Sequence, residues 1–194
     1  MKETEITVEV LDSLENLKLQ LSQKGFTLDE KVVMTDYYFS KYETDELSKM
    51  SYKDLINKSF LVRNLRGDVN KSLMIFKSKD YDELGNVIAE EKVSCKIEDF
   101  EKALKVFELS NINCWCKIQQ EMFVYHNGKV QFAVQVVDGL GVFIEYEETE
   151  DISNLSEQEK IDSMLHDLKE IGIKIGDDYS CKKVYMKFKK DLKK

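Results

Sequence analysis

Several strand-like segments carry charged side chains, rather than merely polar ones, on the face that is not apolar. The members are Glu3, Glu5 and Glu9, then Lys77 and Lys79, then Glu145 and Glu147. One face of an antiparallel sheet commonly lies in water, and this is sufficient to explain the charged face of any one strand. Because the pattern recurs in distant segments, a second interpretation is a closed sheet whose charged faces meet in a water-filled lumen. Carboxylates and cations would then come together there.

The pattern of apolar residues predicts about eight strands and three helices. Alternation with a period of two predicts strands over residues 5–11, 87–97 and 142–147 and a final strand around 184–188. Strand-like runs, two pairs of them separated by turn residues, predict strands over 27–40, 59–65, 72–79, 116–125 and 129–137. Apolar stripes at helical spacing predict helices after Ser13, around Phe100 to Phe107, and from the capping box at Ser156 to Gly172. Residues 41–58 are polar and weakly periodic, so they are interpreted as a long connection.

These elements predict the α+β class. So many antiparallel strands in a short chain tend to curl or close, which favours an antiparallel, eight-stranded, closed or nearly closed β-barrel with helices packed outside. The 194 residues fit one domain, 1–194, with a C-terminal helix-strand segment over 152–194.

Composition excludes several classes of function. With 29 basic and 37 acidic residues the formal net charge is −8, which disfavours nucleic-acid binding, because that affinity depends on clustered cations. The sequence shows neither an apolar run of about 20 residues nor a signal-peptide core, so we expect a cytoplasmic protein that does not bind a membrane. The 4 cysteines are expected to be reduced, and their spacing disfavours structural zinc.

Several segments together resemble the CYTH family, the triphosphate-tunnel fold, and are most similar to its class IV adenylyl cyclase branch. Its Glu-x-Glu-x-Lys strand is matched by Glu3-Thr4-Glu5-Ile6-Thr7, and its later strands by Thr35-Asp36-Tyr37-Tyr38-Phe39, Phe60-Leu61-Val62-Arg63 and Met74-Ile75-Phe76-Lys77. The most specific match is the segment from Val137 through Asp138-Gly139-Leu140-Gly141 to Glu147. The order of the motifs agrees with the family from residue 3 to about residue 150.

The resemblance implies a tunnel in which cations bind a triphosphate and carboxylates bind Mg²⁺ or Mn²⁺. Carried over residue by residue, it assigns catalytic roles to Arg63 and Lys77, substrate binding to Arg63, Lys77 and Lys92, and metal binding to Glu3, Glu5, Glu145 and Glu147. The implied ligand is ATP or another triphosphate, and the implied activity is that of an adenylyl cyclase or a triphosphatase. A homodimer is a further expectation from the resemblance.

The chain departs from the family pattern at several charged positions. Neutral residues stand where the pattern has charged ones at Thr7, Leu61, Gln120, Met122 and Gln135, and an expected Arg-x-Glu-x-Glu run falls on Glu90, Lys92 and Ser94. The carboxylates that remain outnumber the cations, so metal binding is favoured over strong triphosphate turnover. The alternative is therefore a catalytically inactive ligand-binding or protein-interaction module.

Overall fold

The computed structural model describes residues 4–193, and eight of the strands in this part of the chain form one sheet. They are Glu5–Glu9 (β1), Thr27–Ser40 (β2), Phe60–Gly67 (β3), Lys71–Tyr81 (β4), Val87–Ile97 (β5), Asn113–His126 (β6), Gln131–Val137 (β7) and Gly141–Glu147 (β8). Their order is β1-β8-β7-β6-β2-β3-β4-β5, and all neighbours are antiparallel. The predicted α+β class and eight-stranded antiparallel sheet are confirmed.

The sheet curls into a half-barrel that is open rather than closed, with β1 and β5 at its two edges. A segment that we call the C-terminal strap, residues 174–181, lies along the free edge of β1. The Thr7 N–H donates to the Tyr179 carbonyl at 2.8 Å, and the Cys181 N–H donates to the Thr7 carbonyl at 2.9 Å. The strap also reaches β5, because the Val87 N–H donates to Ser180 Oγ at 2.9 Å.

Six α-helices surround the sheet in the described residues, and they divide between its two faces. They are Leu14–Gln23 (α1), Thr44–Ser48 (α2), Tyr52–Asn57 (α3), Phe100–Leu109 (α4), Glu157–Ile171 (α5) and Lys183–Asp191 (α6). Helices α1 and α5 pack against the apolar face of β1, where Ile6 and Val8 are completely buried. On the other face, Ile56 of α3 and Val184 of α6 line a cavity.

Two predictions about secondary structure were wrong. The predicted final strand around 184–188 is helix α6, because Val184 and Phe188 are buried four residues apart while Met186 between them is exposed. The predicted connection over 41–58 contains the short helices α2 and α3. Helices do pack outside the sheet as expected, at α1 and α5, while α3 and α6 additionally contribute residues to the inner cavity.

Sequence patterns account for the ends of the longer helices. Ser13 caps α1 by accepting from the Asn16 N–H at 3.2 Å. The predicted capping box of α5 is confirmed at Ser156 and Glu159, and the helix ends at Gly172, whose φ of 89° is left-handed. None of the helices in the described range is long and apolar enough to span a membrane.

Candidate functional site

The charged strand faces meet on the inner, concave side of the sheet. Register explains this, because Glu5 lies opposite Glu147 and Thr7 opposite Glu145, while the intervening Ile6 faces the outer core. The result is a charged cavity, whose acidic and basic residues and their ion-paired neighbours are Glu5, Asp36, Arg63, Lys77, Lys79, Glu90, Lys92, Glu145, Glu147 and Lys183. Its free volume is about 70 Å³.

Glu5, Glu145 and Glu147 form a cluster of three carboxylates at one side of the charged cavity. One oxygen atom from each lies within 4.8 Å of the others. Carboxylate oxygens are the ligands that Mg²⁺ and Mn²⁺ prefer, so this donor set fits a hard divalent cation. Glu3, the fourth carboxylate assigned by resemblance, lies outside the described residues.

Lys92 lies against this carboxylate cluster. Its Nζ is 3.2 Å from Glu147 Oε1 and 3.7 Å from Glu5 Oε2. A divalent cation bound by the same carboxylates would repel the ammonium at such a distance, so Lys92 would have to turn away. The Lys92 side chain is about one third exposed, which leaves it room to move toward an anionic ligand.

Arg63 is held on β3 by a two-pronged ion pair with Asp36 on β2. Arg63 Nε donates to Asp36 Oδ1 at 2.8 Å, and Nη2 donates to Oδ2 at 2.7 Å. Burial would lower the pKa of Arg63, but the adjacent Asp36 carboxylate raises it, so the guanidinium keeps its charge. This geometry fixes the planar group toward the cavity and leaves its remaining N–H donors for a ligand.

Glu90 on β5 is surrounded by lysines of the charged cavity. Lys77 Nζ lies 2.8 Å and Lys92 Nζ 3.4 Å from Glu90 Oε1, and Lys79 is in contact with Oε2. Burial would raise the pKa of Glu90, but Lys77 and Lys79 lower it well below its usual range. The carboxylate therefore stays ionised and holds the lysines in one group.

Lys183 enters the cavity from the first turn of α6, close to the strap. Its Nζ is 2.7 Å from Glu145 Oε2 and also contacts Gln135 Oε1, while Gln135 Nε2 donates to Glu145 Oε2 at 3.1 Å. Burial would raise the pKa of Glu145, but Lys183 and Lys77 lower it well below its usual range. Lys183 thus adds a cation that no motif predicted.

Gln120 on β6 is a buried amide inside the same cavity. It is only 5% exposed, and its Oε1 atom accepts no hydrogen bond from the described residues. A buried carbonyl oxygen without a donor costs roughly 1–3 kcal/mol, so such atoms are rare in native structures. Gln135 on the neighbouring strand differs, because both of its amide atoms have partners.

Within residues 4–193, the structure brings together the residues to which the resemblance assigned functional roles. Arg63, Lys77, Glu5 and Glu145 line one cavity. Lys92 is ion-paired with Glu5 of its wall, and Glu147 is ion-paired with Lys92. Their roles in catalysis, substrate binding and metal binding stay predictions.

Sequence reasoning undercounted the cavity charges. Lys79 belongs to the charged strand face noted in the sequence, two residues after Lys77, but the resemblance assigns it no role; its side chain is only 9% exposed. Lys183 gave no signal, because its segment was interpreted as a strand. Among the described residues, the charged cavity contains the cations Arg63, Lys77, Lys79, Lys92 and Lys183 and an equal number of carboxylates, Glu5, Asp36, Glu90, Glu145 and Glu147.

Comparison with known proteins agrees with this architecture. The chain is 24% identical over 190 residues to a Methanocaldococcus jannaschii protein named "Putative adenylate cyclase MJ0240", covering 97% of this chain and 99% of that one. The PH1819 protein of Pyrococcus horikoshii OT3 is similar in structure, with a TM-score of 0.68, 17% identity, and coverage of 98% of this chain and 99% of that chain. No family model matches the sequence.

A second similar structure has a description that mentions activity. It is a Hippeastrum protein described as a putative adenylyl cyclase with a dominant triphosphatase activity, with a TM-score of 0.62, 16% identity, and coverage of 97% of this chain and 96% of that chain. At such identities the likeness of structures establishes the fold. The resemblance drawn from the motifs is confirmed at this level: the chain shares its fold and full-length similarity with proteins named as adenylyl cyclases.

Proposed function

We propose that this protein binds a triphosphate-containing ligand together with a divalent cation and promotes attack at one of its phosphorus atoms. The observation that carries the proposal is the placement of a three-carboxylate cluster beside five buried or half-buried cations in one cavity. A triphosphate has about four negative charges near neutral pH, so several cations must surround it to offset its own repulsion. The names of the similar proteins add support.

Each side chain has a role that follows from its geometry. Arg63 is rigid and would orient one phosphate group through its free N–H donors. Lys77, Lys79 and Lys183 are ammonium point charges that would neutralise charge developing on the leaving group. Glu5, Glu145 and Glu147 would hold Mg²⁺ or Mn²⁺, which supplies positive charge beside the phosphate oxygens.

The ion pairs now present in the cavity must rearrange to admit the ligand. A free volume of about 70 Å³ is far below the roughly 300 Å³ or more that encloses a small organic ligand. Lys183 and Lys92 would leave their carboxylate partners and pair with phosphate groups of the ligand. The metal ion would then bind the carboxylates. Because one exchange of partners satisfies both sets of charges, ligand and metal should bind together better than either binds alone.

The ion pairs within the charged cavity favour a second candidate function, a binding or interaction module without turnover. Every cavity cation is already paired with a carboxylate of the chain, and such internal neutralisation stabilises the fold without a ligand. This candidate predicts that a ligand or metal raises the melting temperature without being consumed.

Thermal unfolding with inorganic triphosphate or ATP, with and without Mg²⁺ or Mn²⁺, tests the proposal. We expect the largest rise in melting temperature with both components present, since ligands that bind the folded state stabilise it by mass action. Glu145→Gln should abolish the part of this rise in melting temperature that depends on the metal ion. Glu121→Gln is the matched control, because Glu121 is exposed and pairs only with Lys31 at 3.4 Å among the contacts described. Absence of any shift with all these compounds would contradict the proposal.

A further inference from the structure

We propose that Gln120 positions the water molecule that attacks the terminal phosphorus, so that the reaction is hydrolysis. This inference rests on the proposed function and specifies its nucleophile. It starts from the buried Gln120 Oε1 atom, which faces the charged cavity and has no donor among residues 4–193. A buried acceptor in this position requires a group that donates a hydrogen bond to it.

The triphosphate itself cannot be that donor. Its ionised oxygens are acceptors, and they would repel a carbonyl oxygen rather than satisfy it. The cavity ammonium groups are engaged with carboxylates, as Lys183 is with Glu145 and Lys77 with Glu90. None of the other donors that line the cavity within residues 4–193, Arg63, Tyr38 and Tyr52 included, makes a hydrogen bond to Gln120 Oε1, so we assign that role to an O–H or N–H group brought by the ligand or by water.

The size of the cavity selects water from these donors. About 70 Å³ is room for about five water molecules at roughly 10–15 Å³ each. A nucleoside needs several times that volume in addition to the space that the triphosphate opens, so a ribose hydroxyl could reach Gln120 only after a further, larger opening of the site. Gln120 lies deep on β6, between Val137 of β7 and Met34 of β2, and is 5% exposed.

A carbonyl oxygen suits the orientation of a nucleophilic water. By accepting one O–H, it leaves an oxygen lone pair of the water free to attack, as glutamines do in some nucleotide hydrolases. An arginine or lysine at this position would instead donate to the phosphate. The neighbouring Gln135 cannot take this role, because its Oε1 contacts Lys183 and its Nε2 donates to Glu145.

The step balances without an added reactant beyond water. The water oxygen forms a bond to the terminal phosphorus while the bond from that phosphorus to its bridging oxygen breaks. The electron pair stays on the leaving phosphate chain, where Lys77 and Lys79 offset the charge. One water proton moves to a phosphate oxygen of the products, so the products are orthophosphate and a shortened chain.

Kinetics of Gln120→Leu with inorganic triphosphate and Mg²⁺ or Mn²⁺ test the inference. We expect kcat to fall by about 10²-fold, because a misplaced nucleophile costs about that much, while KM changes little. Gln120→Glu keeps an acceptor oxygen at the same place and should recover part of kcat, with a new pH dependence from the added carboxyl group. Met122→Leu, two residues further on the same strand and outside the cavity lining, is the matched control.

The products identify the nucleophile independently of any variant. In ¹⁸O-labelled water, the wild-type protein should release orthophosphate with one labelled oxygen, and ATP should give no cyclic nucleotide. Unchanged kcat in Gln120→Leu, a rise in KM alone, an unlabelled product or a cyclic product would each overturn the inference. Triphosphate binding without turnover would overturn it and leave the binding part of the proposed function intact. No binding by the wild type would defeat both.

Discussion

At the scale of single residues, Lys183 changes the chemistry that the cavity can support. Sequence motifs alone leave more carboxylates than cations, a balance that favours metal over triphosphate. Lys183 and Lys79 restore an equal number of cations, and Lys183 does so from a helix far along the chain from the other cations. A phosphate group could therefore replace Glu145 as the partner of Lys183.

Lys183→Met separates the binding of anion and metal. We expect the affinity for metal-bound triphosphate to fall about tenfold or more, since a charge-assisted contact contributes on the order of 2 kcal/mol. Affinity for Mn²⁺ alone should not fall, because Glu145 loses a competing cation. Isothermal titration calorimetry measures both. Lys187→Met is the control, as Lys187 is on the same helix and pairs with Asp191. Equal losses of both affinities would contradict this role of Lys183.

Glu90 predicts how stability depends on pH. Its pKa in the folded state lies below the unfolded value of about 4.3, so the folded state binds fewer protons in that range. The stabilisation is complete well above pH 4.3 and is lost as the pH falls below it. Glu90→Gln should lower the free energy of unfolding at pH 7 by on the order of 3 kcal/mol, because it leaves buried lysines uncompensated.

Urea unfolding between pH 3 and pH 7 is the measurement for this variant. The difference between the wild type and Glu90→Gln should narrow as the pH falls through 4 toward 3. Glu91→Gln, an exposed neighbour on the same strand, should behave as the wild type does to within about 0.5 kcal/mol. A difference that is constant across the pH range would show that the charge of Glu90 is not its source.

At the scale of elements, the strap connects the two edges of the half-barrel. It pairs with β1 through main-chain hydrogen bonds and reaches β5 through the Ser180 hydroxyl. Cys181 also lines the charged cavity, and Lys183 follows it at the start of α6. Strap and site are therefore built as one unit.

Ser180→Ala tests the link between the strap and β5. It removes the acceptor of the buried Val87 N–H, which should destabilise the protein by about 1–2 kcal/mol and speed hydrogen exchange at the Val87 amide. Denaturant unfolding and exchange measured by NMR give both values. Ser153→Ala, at an exposed hydroxyl, is the control. Unchanged exchange at Val87 would show that the link does not hold the edge of β5.

Elements with a strong local pattern could be predicted from sequence. In β1 buried Ile6 follows Glu5, in β8 buried Ile144 precedes Glu145, and α5 has its capping box and terminal Gly172. Helix α6 could not, because Val184, Met186 and Phe188 fit the period of two of a strand, and only the packing of Val184 and Phe188 around Trp115 identifies a helix with Met186 on its exposed side.

The candidate site was predictable only in part, since its contacts depend on the register between distant strands. The carboxylates Glu5 and Glu145 follow from motif and alternation. The group formed by Lys77, Lys79 and Glu90 depends on how β4 pairs with β5, where Lys79 lies opposite Glu90. No local pattern in the sequence specifies that pairing, because a shift of one residue would turn every side chain to the other face.

At the scale of the whole molecule, the strap covers an edge of the sheet that would otherwise be unpaired. A chain ending at Ile173 would expose the β1 edge and lose Lys183 together with α6. Exposed strand edges pair with other chains, so we expect self-association and rapid proteolysis. Light scattering and limited trypsin digestion measure these effects. A truncated chain that stays monodisperse and resistant to trypsin would show that the strap is dispensable for the fold.

The pairing of β1 also determines when the molecule can mature during synthesis. Glu5 leaves the ribosome before its partner Glu147, which is translated more than a hundred residues later, and the strap that covers Thr7 follows later still. Contacts so distant in sequence form slowly, because a long loop must close first. The cluster of Glu5, Glu145 and Glu147 therefore cannot assemble until β8 has emerged, so the site that we propose for a metal ion forms only after most of the sheet has been translated.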